Sequence, residues 1–314
     1  MRISVITPSY NAARDVRRAL DSALGQTYPV HEIVVVDDGS KDDTAAIVAS
    51  YGAPVRLIRQ ANQGASAARN NAAAAATGDW LAFLDADDAF RPDKLARQKE
   101  IVDRHPSVKL VYAGARLMKG GEAIGTLRAF PSDKLWPALR YRSPILPSTV
   151  LLQRAAFLDA GGFDVTLPVA EDWDLWVRLV EAHSSSAFFG LDEIVTDYQV
   201  SEGSLSSDPI RLFETKLGLI ERRLLSGTSS LERAIWRRRI LAFFCIDAAI
   251  ALREKGDARA FEFAVRSMKT WPFADRVLPL RRYAVVLSML KSRARSRLRR
   301  ATPASGSAGP SGGT

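Results

Sequence analysis

Three carboxylates, Asp85, Asp87 and Asp88, stand at the end of the apolar run Trp80-Leu81-Ala82-Phe83-Leu84. Such a run reads as a buried strand. Negative charges crowded at its end repel one another and lose hydration unless something neutralises them. A hard divalent cation holding a phosphorylated ligand does so, because carboxylate oxygens suit it; a solvated, Asp-rich turn is the alternative. The triplet alone does not separate the two. Other polar residues follow apolar runs in the same way. Tyr10, after Ile3 to Thr7, offers a flat face for a base. Asp38, after Ile33 to Val36, can accept from a uracil N–H or a ribose hydroxyl, or close an Asx turn with Gly39. Arg69, among the small residues of Ala65 to Ala76, can meet phosphate or pair with an acidic neighbour. Glu171 and Asp172 stand where a helix begins, a place the helix dipole favours for acids.

The elements that must position these groups alternate. Ile3–Thr7, Ile33–Val36, Val55–Ile58 and Trp80–Leu84 are short, mainly apolar runs, separated by helical spacing through Val16, Leu20 and Leu24, by Ala45, Ile47 and Val48, and by Ala65 to Ala76. The pattern predicts an α/β fold with a mainly parallel sheet covered on both faces. Ligands of such sheets lie outside the carboxyl ends of the strands, so Tyr10, Asp38 and Asp85 to Asp88 should meet in one crevice. A helix through Leu95 to Val102, a strand from Val108 to Ala113, a hairpin at Gly120-Gly121 and a late strand at Ile194 to Tyr198 follow. Residues 1–208 form the expected core domain, 209–290 a helical extension, and 291–314 a basic, then Ser/Gly/Pro-rich tail expected to be disordered.

A 314-residue chain that is 47% hydrophobic can bury a large core. Its single cysteine, Cys245, excludes an internal disulfide and a cysteine-based metal cluster, which suits a reducing, cytoplasmic compartment. The first residues run into a strand with no signal-peptide core. The longest apolar candidate, Ile240 to Leu252, is too short to span a bilayer. Residues 209–314 hold 22 Lys or Arg against 8 Asp or Glu, and residues 1–208 hold 22 against 27, so the front is mildly acidic and the rear strongly basic. Lys291 to Arg300, with six basic residues, is expected to meet an anionic membrane surface at its inner face; nucleic acid is not expected, for want of interleaved aromatics.

With these pieces in place, the chain resembles the family 2 glycosyltransferases of the GT-A fold, of the single-transfer bacterial type. The resemblance rests on Val5 to Asn11, Val34 to Ser40, Asn62-Gln63-Gly64 with Ala68-Arg69-Asn70, Leu84 to Asp88, and Gly161 to Asp164 with Glu171-Asp172. It spans residues 1 to 206. It implies a single Rossmann-like GT-A domain and inverting transfer of a sugar from a nucleotide diphosphate donor, a UDP-sugar, to an acceptor hydroxyl in surface polysaccharide or glycolipid synthesis, assisted by Mg²⁺ or Mn²⁺. It assigns Thr7, Pro8, Tyr10, Asp38, Arg69, Asp85 and Ala86 to the nucleotide-sugar. Asp87, with Asp85, goes to the metal, Asp172 is the catalytic base, and Glu171 orients the base or the acceptor. Asp88 is read as a cap on the following helix. The chain departs from the family where many members carry a His after the late strand, since Ser201 stands there, and it lacks a Gln-x-x-Arg-Trp motif. A nucleotidyltransferase would want a Gly-rich, Lys-bearing loop near the first strand, which Thr7-Pro8-Ser9-Tyr10 is not. A non-catalytic nucleotide-sugar-binding or scaffold protein is the alternative function.

Overall fold

The computed structural model describes residues 1–200, 208–224, 229–274 and 283–291. Ser201 and positions 292–300 of the basic run lie outside the described residues. The chain forms two compact units, Met1–Gly227 and Thr228–Thr314.

The first unit is built on a nine-stranded sheet ordered β3-β2-β1-β4-β8-β6-β9-β5, with β7 paired to β6. Strands β1 (Ile3–Ser9), β2 (Glu32–Asp37), β3 (Val55–Arg59) and β4 (Trp80–Phe83) are mutually parallel. Beyond them β8 (Leu151–Gln153) runs antiparallel to both β4 and β6 (Leu110–Lys119), and β6 runs parallel to β9 (Phe188–Gln199). The expected hairpin is present: Gly120 and Gly121, both at positive φ, turn β6 into β7 (Glu122–Leu127). The two-residue β5 (Ala89–Phe90) pairs with β9.

Continuous apolar runs make β1, β2 and β4 because helices cover both faces of that half, leaving no strand position wet. Helix α1 (Val16–Leu24) buries Val16, Ala19, Leu20 and Ala23 at helical spacing. Burying Leu20 contributes about 2 kcal/mol, and Leu20→Ala would cost about 2–5 kcal/mol with its cavity. Helix α2 (Thr44–Ala49) has Asp43 at its N-cap and follows an Asx turn in which the Asp42 carboxylate accepts from the Thr44 amide. Helix α3 (Ala65–Ala75) is nearly all Ala, Ser and Asn, so it lies close against the sheet and buries Arg69 among small side chains. Helices α4 (Lys94–Arg104), α5 (Leu135–Leu139), α6 (Arg154–Asp159) and α7 (Glu171–His183) follow in the same unit. Phe83, Phe157, Phe163 and Trp176 form an aromatic cluster with ring centroids 5.4–6.5 Å apart, which seats α6 and α7 against β4.

Helix α8 (Pro209–Leu219) and the π-helical turn Ile220–Leu224 lie within the first unit, beyond the position 208 at which the sequence pattern changes. Arg222 comes within 3.8 Å of Asp164, and Arg223 within 3.3 Å of Asp174. In the second unit, a capping box between Ser229 and Glu232 starts α9 (Ser230–Glu254). Helix α10 (Ala260–Thr270) returns beside it, with Ser267 Oγ donating to the Ala242 carbonyl at 2.7 Å. Cys245 is buried there, and burial pushes its thiol up to about 11. No helix among the described residues is long and apolar enough to cross a membrane.

Candidate active site

At the carboxyl ends of β1, β2 and β4 lies a cavity of about 390 Å³, lined among others by Pro8, Tyr10, Asp38, Arg69, Asp85, Ala86 and Asp87. Tyr10 is half exposed at its mouth (48%). Six of the seven residues that the resemblance assigns to the nucleotide-sugar thus line one space; the seventh, Thr7, is fully buried within β1 and is not among the lining residues.

Asp38 is already engaged. Its Oδ1 accepts from the Gln60 side-chain amide (2.7 Å) and the Gln63 backbone N–H (2.8 Å), and Oδ2 accepts from the Gly64 N–H (2.8 Å). With two lone pairs per oxygen, Oδ2 keeps one acceptor position for a ligand. Asp38 therefore fixes the loop from Gln60 to Gly64 that leads into α3, rather than closing the Asx turn with Gly39 that was the alternative to ligand binding.

Helix α3 then presents two polar side chains in succession. Asn70 clamps the loop before Phe163: its Nδ2 donates to the Phe163 carbonyl and its Oδ1 accepts from the Phe163 N–H, both at 2.8 Å. Glycine is required at 162, where φ is +68° and a Cβ would lie 2.6 Å from Asn70 Oδ1. Arg69 joins motifs far apart in the chain. Its Nη2 donates to Asp85 Oδ1 at 2.6 Å, its Nη1 to Glu171 Oε1 at 3.0 Å, and its guanidinium lies 5.3 Å from the centre of the Phe163 ring. Burial would lower its pKa, but the two carboxylates outweigh burial and hold it above the ordinary value. Of the two readings of Arg69, the structure shows the pairing with acids, and Arg69 also lines the cavity.

The remaining carboxylates carry strong fields. Burial, then the charge of Asp85, pushes Asp87 up to about 6. Asp88 is buried, and burial followed by Asp85 and Asp87 raises its pKa well above the ordinary value. Asp88 is not a helix cap: α4 begins at Lys94 with Asp93 as its N-cap residue. Instead Asp88 accepts from Ser148 Oγ and from the Gln199 N–H (2.8 Å), while Ser148 Oγ accepts from the Asp85 N–H at 3.1 Å. This network ties the acidic turn to the segment before β8 and to the end of β9. Sequence reading missed Ser148, and no local pattern marks it.

Asp172 lies in the first turn of α7 beside the Arg69–Glu171 bridge and outside the lining of this cavity. Burial, then the charge of Glu171, pushes its carboxyl up to about 7. Ser143 Oγ sits 3.4 Å from Asp172 Oδ2 and 3.2 Å from the Ile145 carbonyl, so its one proton serves two acceptors. Tyr198 on β9 was also missed as a site residue. Burial raises its hydroxyl, as do the charges of Asp88, Asp85, Asp87 and Asp172.

Among the described residues no group of three or more His, Cys, Asp or Glu side chains is arranged to hold a metal. Asp85 and Asp87 nonetheless offer oxygen donors on one cavity wall. That donor set fits Mg²⁺ or Mn²⁺, which typically take one or two carboxylates and draw their other ligands from phosphate and water.

Residues 4–148 match the family model described as glycosyl transferase family 2. An uncharacterized glycosyltransferase of Haemophilus influenzae is 30% identical over 66% of this chain and 71% of that protein. A putative teichuronic acid biosynthesis glycosyltransferase of Bacillus subtilis, TuaG, is 30% identical over 66% and 82%. An uncharacterized glycosyltransferase of Rickettsia felis is 33% identical over 57% of this chain, and the match spans only 31% of that longer protein. Among solved structures, S. aureus TarS 1-349 in complex with UDP-GlcNAc superposes with a TM-score of 0.64 at 21% identity, covering 95% of this chain and 88% of that one. Mannosyltransferase PcManGT from Pyrobaculum calidifontis, in complex with GDP-Man and Mn²⁺, gives 0.58 at 19% identity, covering 96% and 88%. These likenesses to GT-A glycosyltransferase structures show the fold.

Proposed function

The chain belongs to glycosyl transferase family 2, and on that premise we propose that it is a metal-dependent, inverting glycosyltransferase moving a sugar from a nucleotide diphosphate donor to an acceptor hydroxyl. The observation that carries this reading is the Arg69 bridge between Asp85 in the donor cavity and Glu171 at the start of α7. It holds the donor-side carboxylates and the candidate base in one rigid assembly.

In this reading Tyr10 stacks on the base, Asp38 uses its remaining acceptor position on base or ribose, and Asp85 and Asp87 take the cation. The cation, when bound, supplies Lewis-acid compensation for charge on the departing diphosphate. Asp172 accepts the proton of the acceptor hydroxyl as its oxygen bonds to the anomeric carbon and the sugar–phosphate bond breaks, the electron pair leaving with the diphosphate. A carboxyl raised to about 7 suits a general base at neutral pH. Glu171, turned towards Arg69, orients the base through that pair. The TarS complex with UDP-GlcNAc favours a UDP-sugar donor, and TuaG favours a surface-polymer acceptor.

The test is a thermal-shift panel of nucleoside diphosphates with and without Mn²⁺, followed by nucleotide release from the matching sugar donor. Specific binding stabilises by mass action. Release should disappear in Asp87→Ala and fall strongly in Asp172→Asn. Tight binding without turnover on any acceptor would instead favour a non-catalytic nucleotide-sugar-binding protein.

A further inference from the structure

The second unit is electrically lopsided. Helix α10 runs back along α9, with Arg238 Nε donating to the Thr270 carbonyl at 3.1 Å, so the start of α9 and the end of α10 share one end of the pair. By sequence, residues 231–239 and 266–273 at that end carry four Arg from α9 and two cations from α10, six in all, against one acid, Glu232. Residues 247–262, at the other end, carry three cations against four acids. The basic end is also the apolar one. Leu231 is 73% exposed, Ile235 42% and Phe273 64%, and the guanidinium of Arg239 lies 4.8 Å from the Trp236 ring and 5.9 Å from the Trp271 ring. The capping box makes this a true helix start, and residues 229–235 are exposed all round it.

We propose that this basic, aromatic end of α9 and α10 docks on an anionic lipid surface. Aliphatic and aromatic tips amid arginines match a bilayer interface, where apolar side chains enter the acyl boundary, indole rings sit at headgroup level and cations meet lipid phosphates. A second copy of the chain fits poorly, because a two-fold contact would press like charge on like charge. Nucleic acid fits poorly as well, since exposed Leu231 and Ile235 find no partner on a phosphate backbone. The surface belongs to the second unit alone, so the inference stands independently of the catalytic reading.

The full chain should float with phosphatidylcholine vesicles containing phosphatidylglycerol, and much less with phosphatidylcholine alone or at high salt. At about fivefold per cation, Arg233→Glu with Arg237→Glu should lower partitioning at least about 25-fold. Leu231→Ser with Ile235→Ser should lower it even where charge is intact. Arg253→Glu with Lys255→Glu, reversing equal charge at the opposite end, should leave it close to wild type. Melting curves check that every variant folds. The proposal fails if the Arg233/Arg237 variant floats like wild type, which would locate binding elsewhere, or if both charge reversals act equally, which would reduce it to net charge. It fails too if the chain binds nucleic acid or dimerises through this end without binding vesicles. Asp87→Ala should float normally, so loss of turnover and loss of docking are separable.

Discussion

Replacing Arg69 tests the assembly at its centre. In Arg69→Met the apolar stem is kept and the guanidinium lost, leaving Asp85 and Glu171 facing each other without a cation between them. Removing one partner of a buried ion pair costs about 3–5 kcal/mol. The Asp85 and Glu171 side chains are 24% and 21% exposed, so water takes over part of the solvation and the low end, about 3 kcal/mol at neutral pH, is expected. The rate profile should move as well. Arg69 lowers the pKa of Asp172 against the opposing effects of burial and Glu171, so without it the carboxyl rises above about 7 and the acid limb of the rate profile moves to higher pH. Arg69→Lys keeps one charge but not the planar fork that serves two carboxylates, and should fall between. The assays are urea unfolding at neutral pH and the pH dependence of kcat/KM. Wild-type stability together with an unmoved rate profile in Arg69→Met would refute the reasoning.

Asp87 has a folded pKa of about 6 against an ordinary 3.8, so its proton is held more tightly in the folded chain. Its stability contribution is complete below pH of about 4 and lost as pH rises through about 6; in metal-free protein Asp87→Asn should therefore unfold about 3 kcal/mol later near pH 7.5, with the gain vanishing towards pH 4. Asp172→Asn should lower kcat about 10²–10⁴-fold and abolish an acid limb near pH of about 7, read from rate profiles. Ser148→Ala leaves the buried Asp88 carboxyl and the Asp85 N–H each short of a partner; a loss of about 1–3 kcal/mol by denaturant titration and weaker Mn²⁺-dependent donor binding by calorimetry are expected. Asp38→Ala frees the Gln60–Gly64 loop, and should raise the donor KM more than it lowers kcat, measured by steady-state kinetics.

The parallel half of the sheet was legible in the sequence because β1, β2 and β4 are buried, mainly apolar runs, and each of them ends in a polar cluster. That pattern alone determined the α/β class, the crevice at the strand ends, and the meeting there of Tyr10, Asp38 and the acidic turn. What each side chain does at the crevice was decided by the tertiary structure. Arg69 meets Glu171 across 102 residues, Asp88 meets Ser148 across 60 and Gln199 across 111, and Asp38 is occupied by a loop 25 residues on. Periodicity reports which face of an element is buried, but not which partner the sheet order brings to its end. The elevated Asp87 and Asp172 follow from burial and neighbouring charge together, and both arise only when strands and helix starts distant in sequence converge on one volume.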